Sequence, residues 1–328
     1  MTSEPVLEKP ATAADVARLA GVSRSTVSFI LNGKLDRFPD ETRRRVLEAA
    51  ERLRYRPSSA GRSLVSGRSD TVIVLLPNTT FGSNLQDAVD RVVEHSDTFG
   101  GNVVVRFAST TIDATLDAVR ALRPLAVVDF GVLGAEDREN VEKTGVIVVS
   151  SLRRGDGQPD GGIGEIQADA LLRRGPRRLW FASLSDNRID AYGPHRFKAL
   201  QRFCEQRGLE PPRSVSVPLT VEGGAAALRE VLEVGGPAGI ACYNDDVGMA
   251  LLAGARREGV HVPEMVSLVG VDNTPMSALS APTLSTIDTG FPAMVDLLSI
   301  QLERRLGRDV DAAAEPVHRF TLVERESS

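Results

Sequence analysis

Cysteine is nearly missing from this 328-residue chain, which holds only Cys204 and Cys242. A pair so sparse builds no disulfide framework, and its spacing suits no metal or redox motif, so two buried thiols are expected. Histidine is scarce as well: His95, His195, His261 and His318 stand apart, with no H-x-x-x-H pair and no cysteine partner for metal catalysis. No apolar run approaches a membrane span. Met1–Pro10 is polar and mixed in charge, without the apolar core of a secretory signal, so a cytoplasmic protein is expected. No P-loop or G-x-S-x-G elbow is present. Gly161-Gly162-Ile163-Gly164 lacks both a preceding strand and the full dinucleotide fingerprint, and reads as linker. Neither an enzyme nor a cofactor is expected. After Val323 there is no heptad repeat to make a coiled coil.

What is present is charge with a strong asymmetry. The chain carries a net charge of −5, yet residues 11–69 hold twelve Lys/Arg against six Asp/Glu, and residues 70–328 come to −10. A basic head on an acidic body suits an arm that meets phosphate while the body avoids it.

The head reads as helices. Val16, Ala17, Leu19 and Ala20, then Val22, Val27, Ile30 and Leu31, fall at helical spacing on either side of Gly21, which a tight turn with positive φ needs. Ser23 is placed to cap the second helix. The spacing predicts helices over Ala13–Ala20 and Arg24–Asn32, with small Ala17 allowing a close crossing and Val22 and Val27 filling the angle. Such a pair is the DNA-reading helix-turn-helix. Gly33 ends the second helix, and Pro39 with Asp40 and Glu41 opens a third whose stripe is Val46, Leu47, Ala50 and Leu53.

Asp15-Val16-Ala17, Ala20-Gly21-Val22-Ser23, Thr26-Val27-Ser28 and Leu31-Asn32-Gly33, followed by Leu53-Arg54-Tyr55-Arg56-Pro57, resemble the head of the LacI/GalR family of bacterial repressors. The resemblance implies a sequence-specific transcriptional regulator, a homodimer on double-stranded, pseudo-palindromic operator DNA. Arg24, Ser25, Ser28 and Phe29 share the outward face of the second helix. Arg24 can grip guanine bidentately and Ser25 can bond several bases; both match the family's principal base-reading positions. Phe29 stands where relatives usually carry Arg. It either meets a thymine methyl or packs into the head's small core. Thr12, Ser23, Thr26, Asn32 and Tyr55 are candidate phosphate contacts, which set register without reading sequence.

Residues 58–69 are too short to be helical alone in water. The resemblance implies a hinge that folds on the operator, with Arg62 along phosphates and Leu64 wedged into the minor groove; the alternative is a plain flexible linker.

Behind the hinge, strands such as Thr71–Pro77, Asn102–Phe107, Leu125–Phe130 and Gly145–Ser150 alternate with helices, and the pattern restarts after a Gly/Arg/Asp-rich stretch near 151–162. That predicts an α/β body of two doubly wound parallel-sheet lobes, with the layout of periplasmic sugar-binding proteins. The expected organisation is a disordered N-terminus (1–10), the helix-turn-helix domain (11–57), the hinge (58–69), a first lobe (70–151 and 284–308) and a second (152–283 and 309–328).

Tyr243-Asn244-Asp245-Asp246, the run from Pro263 through Val271-Asp272-Asn273, and Pro282-Thr283-Leu284-Ser285-Thr286-Ile287 resemble the family's later signatures. By that likeness a small-molecule effector, a sugar or other metabolite, binds between the lobes at Asn78, Phe81, Tyr192, Arg196, Asn244 and Asp272. Asp272 is alternatively a turn residue. The chain departs from the family at 78–82, at 151–165 and at 190–197, where Tyr192 stands near the place of the Arg expected before the helix's Gly-Phe, with Arg188 and Arg196 as neighbouring substitutes. The body therefore binds an unusual small ligand, binds something other than a sugar, or serves only to dimerise.

One substitution tests the hinge directly. Gly61 stands where relatives more often have Ala, and Gly inside a helix costs roughly 0.5–1 kcal/mol. Gly61→Ala is expected to tighten operator binding by roughly two- to fivefold per hinge. Unchanged or weaker binding in a titration counts against a helical hinge.

Overall fold

The computed structural model describes residues 11–31, 37–55, 69–78, 80, 84–99, 102–108, 112–151, 162–175, 177–185, 192–308, 310 and 319–328. They fall into two compact units, 1–69 and 70–328.

The first unit holds α1 (Ala13–Ala20), α2 (Arg24–Leu31) and α3 (Asp40–Arg52). Thr12 starts α1 by donating its backbone N–H and its hydroxyl to the Asp15 carboxylate, at 2.9 and 2.6 Å. Gly21 ends the helix at φ +64°, where a β-carbon would crowd the carbonyl. Ser23 Oγ accepts the Thr26 N–H at 3.0 Å and so caps α2. Val16, Ala17, Ala20, Val27, Ile30, Val46, Ala49 and Ala50 form the core. The predicted stripe of α3 needs one correction: Leu47 is 51% exposed, and Ala49 takes its place. Val46, Ala49, Ala50 and Leu53 follow the i, i+3, i+4, i+7 spacing of one face, whereas Leu47 points about 100° away from Val46.

In the second unit the chain runs β1 (Thr71–Leu76), α4 (Asn84–Phe99), β2 (Asn102–Phe107), α5 (Asp113–Leu122), β3 (Ala126–Asp129), α6 (Ala135–Glu142) and β4 (Ile147–Ser150). These strands make a parallel sheet of order β2-β1-β3-β4. β1 is an unbroken apolar run because both faces of the sheet are covered. Val72, Val74 and Leu76 join one cluster and Ile73 and Leu75 the other.

The second lobe follows as α7 (Ile163–Leu172), β5 (Arg178–Leu184), α8 (Gly193–Gln206), β6 (Arg213–Val217), α9 (Val221–Glu233), β7 (Ala238–Cys242), α10 (Asp245–Glu258), β8 (Val266–Val271), α11 (Pro275–Leu279) and β9 (Ser285–Asp288). α12 (Phe291–Arg305) then returns to the first lobe, and β10 (Thr321–Val323) returns to the second. The second sheet has the order β6-β5-β7-β8-β9-β10, with only β10 antiparallel to its neighbour. Cys204 and Cys242 are both buried free thiols in its core.

The crossover comes later than the sequence predicts. Residues 284–288 were expected in the first lobe, but Ser285, Thr286 and Ile287 pair with Val269, Gly270 and Val271 in the second sheet. The passage begins only past Asp288, at Gly290, whose left-handed φ of +59° precedes α12. Phe291, Val295, Leu298 and Leu302 of α12 then pack under β1 and β3. Asp296 fixes α12 to α4 by accepting Arg91 Nε and Nη2 at 2.7 and 2.9 Å.

α9 and α10 cross at near backbone contact through glycines. A β-carbon on Gly224 would stand 1.9 Å from the Ala250 carbonyl oxygen, and one on Gly254 would stand 2.4 Å from the Ala225 nitrogen. Helix propensity alone favours Gly→Ala by about 1 kcal/mol, but overlap this severe must push two helices apart. Gly224→Ala is expected to lower stability by about 1–3 kcal/mol, read as an earlier denaturant midpoint. A variant as stable as the parent would disprove the close crossing.

Candidate nucleic-acid interface and ligand cleft

In the first unit the recognition face lies on α2. Arg24 opens the helix, is exposed, and has no hydrogen bond or ion pair among the described residues. By contrast Arg18 is paired with Asp15 at 3.1 Å, and Arg44 sits 3.2 Å from Glu48. Ser25 is exposed next to it, its hydroxyl 2.7 Å from that of Ser23. Ser28 is half-buried. Phe29 lies between the two expectations: it is 37% exposed and stacks on Phe38, with ring centroids 6.3 Å apart. Its ring is therefore braced from below with an edge left open. Thr12 and Ser23 both use their hydroxyls within the helix caps, and the Thr26 hydroxyl is 2.8 Å from that of Ser23. Tyr55 packs against the head's core. Asn32, Arg62, Leu64 and Phe81 lie outside the described residues.

The body brings most of the expected effector residues to one place, the carboxyl ends of the strands. Tyr192, just ahead of α8, donates its hydroxyl to the Phe130 carbonyl beyond β3 of the first lobe, at 2.7 Å. Asn244, at the end of β7, reaches the same lobe: its Nδ2 donates to Thr80 Oγ1 at 2.7 Å and to the Thr80 carbonyl at 3.3 Å. Asn244 Oδ1 meanwhile accepts the Val247 N–H and caps α10. Asn78 is half-buried two residues before Thr80. Arg196 is almost fully buried, its guanidinium 5.3 Å from the Tyr192 ring centre and 5.2 Å from that of Tyr243. It donates to the Tyr243 carbonyl. The chain's own groups thus hold the charge expected to face an effector.

Asp272 is half-buried at φ +104°, and the next residue, Asn273, is at φ +46°. Two consecutive non-glycine residues at positive φ are strained, and neighbours hold them. The Asp272 N–H donates to the Ile287 carbonyl at 2.8 Å. Asn273 accepts Arg325 Nη2 at 2.7 Å and donates to Asp288 at 3.1 Å.

Sequence reasoning gave no role to Thr80, Phe130, Asp245 or Arg325. Asp245 is fully buried. Its Oδ2 accepts the Thr274 N–H and hydroxyl at 2.7 and 3.0 Å, and Oδ1 accepts the Thr286 hydroxyl at 2.5 Å. Gly270 leaves room for it, since a β-carbon there would stand 2.2 Å from Oδ1. An acidic residue in the first turn of a helix ordinarily answers the helix dipole at the surface, which is why Asp245, though within a family signature, had no role of its own in sequence. In the first lobe, buried Asp129 holds the turn around Phe130, accepting Val132 N–H at 2.8 Å and Ser150 Oγ–H at 2.6 Å.

Residues 12–58 match the model of bacterial regulatory proteins of the lacI family, and residues 168–328 match that of a periplasmic binding protein-like domain. The transcriptional regulator GntR of Pseudomonas aeruginosa is 31% identical, over 96% of this chain and 94% of that protein. Catabolite control protein A of Priestia megaterium is 28% identical over 85% and 89%. Among solved structures, the lac repressor dimer bound to operator and the anti-inducer ONPF superimposes with a TM-score of 0.76 at 22% identity, over 97% of this chain and 99% of that one. A helix-turn-helix head followed by a two-lobed binding-protein body defines a DNA-binding transcriptional regulator. The chain belongs to the lacI family of these regulators.

The buried carboxylate gives a pH test of the body. Burial pushes the Asp245 pKa up to about 6, against the lowering effect of its threonine bonds. Because the folded value lies above the ordinary 3.8, the folded state favours the protonated form. The stability this gives is complete below about pH 4 and is lost as pH rises through about 6. Asp245→Asn, which stays neutral, is expected to flatten the stability profile between those values. An unchanged pH slope in denaturant titrations would place the titration elsewhere.

Proposed function

We propose that the chain is a homodimeric repressor that reads a pseudo-palindromic operator through Arg24 and Ser25. Residues 58–69 are its hinge and Leu64 its minor-groove wedge. The observation carrying this reading is Arg24: an exposed guanidinium at the start of α2, with no carboxylate partner among the described residues, where Arg18 and Arg44 have one. A free guanidinium keeps its bidentate fork for guanine O6 and N7. Phe29, backed by Phe38, offers an apolar edge to a thymine methyl in place of a second hydrogen-bonding contact. Met276 and Leu279, three residues apart on α11, are exposed and support burial by a second copy. The chain acts by binding rather than by catalysis, consistent with the regulators it is similar to. No helix among the described residues is long and apolar enough to cross a membrane; the proposed site of action is the nucleoid in the cytoplasm.

The effector lies between the lobes, where Asn78, Tyr192, Asn244 and Asp272 are within reach, and it competes with bonds the chain makes to itself. A ligand shifts the DNA-binding population only through different affinity for the two states. One that replaces the Tyr192–Phe130 and Asn244–Thr80 bonds has that difference built in.

Two measurements test the reading. Selection of operators from random DNA, repeated with Arg24→Ala, should lose preference at one symmetric base pair, about 1–3 kcal/mol of discrimination; uniform weakening would make Arg24 a phosphate contact. Sugars, nucleosides and other metabolites should include one that raises the melting temperature and alters operator affinity together. A body silent to all of them serves dimerisation alone.

A further inference from the structure

At the opposite ends of the second lobe's strands, away from the cleft, lies a groove of about 470 Å³. Arg177, Arg178 and Trp180 line it from the start of β5, Arg213 from the start of β6, and Leu209 and Val234 from the loops beside them. The volume suits a small molecule.

Its charges are unequally satisfied. Arg178 is tied down: Nη1 donates to the Val234 and Gly235 carbonyls at 2.6 and 3.0 Å, and Nε is 3.4 Å from Glu210. Arg213 is exposed, lies opposite Trp180 in the parallel register, and holds its guanidinium 5.8 Å from that ring's centre. An aromatic face attracts the guanidinium without neutralising it, and among the described residues Arg213 has no hydrogen bond and no carboxylate. Arg177 gives Nη1 to the Glu264 carbonyl at 3.2 Å, while its buried Nε has no hydrogen-bond partner. Burial, and the charge of nearby Arg174, hold its pKa below the usual arginine value. The charge of Glu264 partly offsets that of Arg177, whereas Arg213 has no carboxylate among the described residues, which is anomalous in a body whose net charge is −10. An anion would answer Arg213.

We propose that this groove is a second ligand site, taking a small organic phosphate whose phosphoryl group binds Arg213 and whose apolar part lies along Leu209 and Val234. Guanidinium forks match phosphate oxygens bidentately, and the two apolar walls explain a preference for an ester over the bare ion. The site is independent of the cleft, so it stands or falls apart from the effector reading.

Calorimetric titration of the full chain with phenyl phosphate tests it. Saturable binding is expected, weaker for inorganic phosphate and absent for phenol. Arg213→Ala should reduce affinity about tenfold or more, as loss of a charged hydrogen-bonding partner does, while the cleft variant Asn244→Ala should leave it unchanged. Arg213→Lys, which keeps the charge but not the fork, should fall between and guards against a folding defect in the alanine variant. No saturation up to about 10 mM, full affinity in Arg213→Ala, or equal loss in Asn244→Ala would overturn the assignment.

Discussion

Asp245 carries a carboxylate into the interior of the second lobe, and four other elements of the cleft wall are arranged around it. Thr274 and Thr286 bond to it, Gly270 makes way for it, and Asn244 precedes it on the chain. An ionised group in such a place is costly unless hydrogen bonds meet most of its acceptor capacity. Three donors converge on Asp245, so the position of one carboxylate sets the end of β7, the strained Asp272–Asn273 turn and the register of β9. Arg325 braces the same turn from the far side through Asn273, and also bonds Ser277 and the Leu284 carbonyl.

That rigidity explains how the two lobes of the body meet. Asn244 is held as the cap of α10, and Tyr192 is pinned beside the buried Arg196. Each then offers a single hydrogen-bonding group to the first lobe, where Thr80 and Phe130 receive them. Phe130 is itself fixed by stacking on Phe291, with ring centroids 5.4 Å apart. Each such bond is worth about 0.5–1.5 kcal/mol net, enough to favour one lobe arrangement and little enough for a ligand to displace.

The head runs on different physics. Its core is small and built largely from alanine and valine, so helix caps at Thr12, Gly21 and Ser23 set the helix boundaries where hydrophobic area is limited. Those at Gly21 and Ser23 were legible in sequence because each rests on a local rule of residue type and spacing, whereas Thr12 was read only as a phosphate contact. Leu47 was misplaced because two adjacent apolar residues, Val46 and Leu47, leave the face of a helix ambiguous until its partners are known. Phe29 was undecidable for a related reason: only the position of Phe38 determines how much of its ring is covered.

Sequence alone determined the order of strands and helices, the helix-turn-helix and the candidate recognition residues, since alternation of apolar runs, turn glycines and caps are near-neighbour properties. By family likeness it also named Asn244 and Asp272 as candidate cleft residues. Tertiary structure alone decided that residues 285–288 stay in the second sheet, that Asp245 is buried, and that Tyr192 and Asn244 reach across to Phe130 and Thr80. Those outcomes depend on groups far apart in the chain, such as Asp245 and Thr286. Donors and acceptors so distant find each other only once both sheets have formed, and no local spacing encodes them.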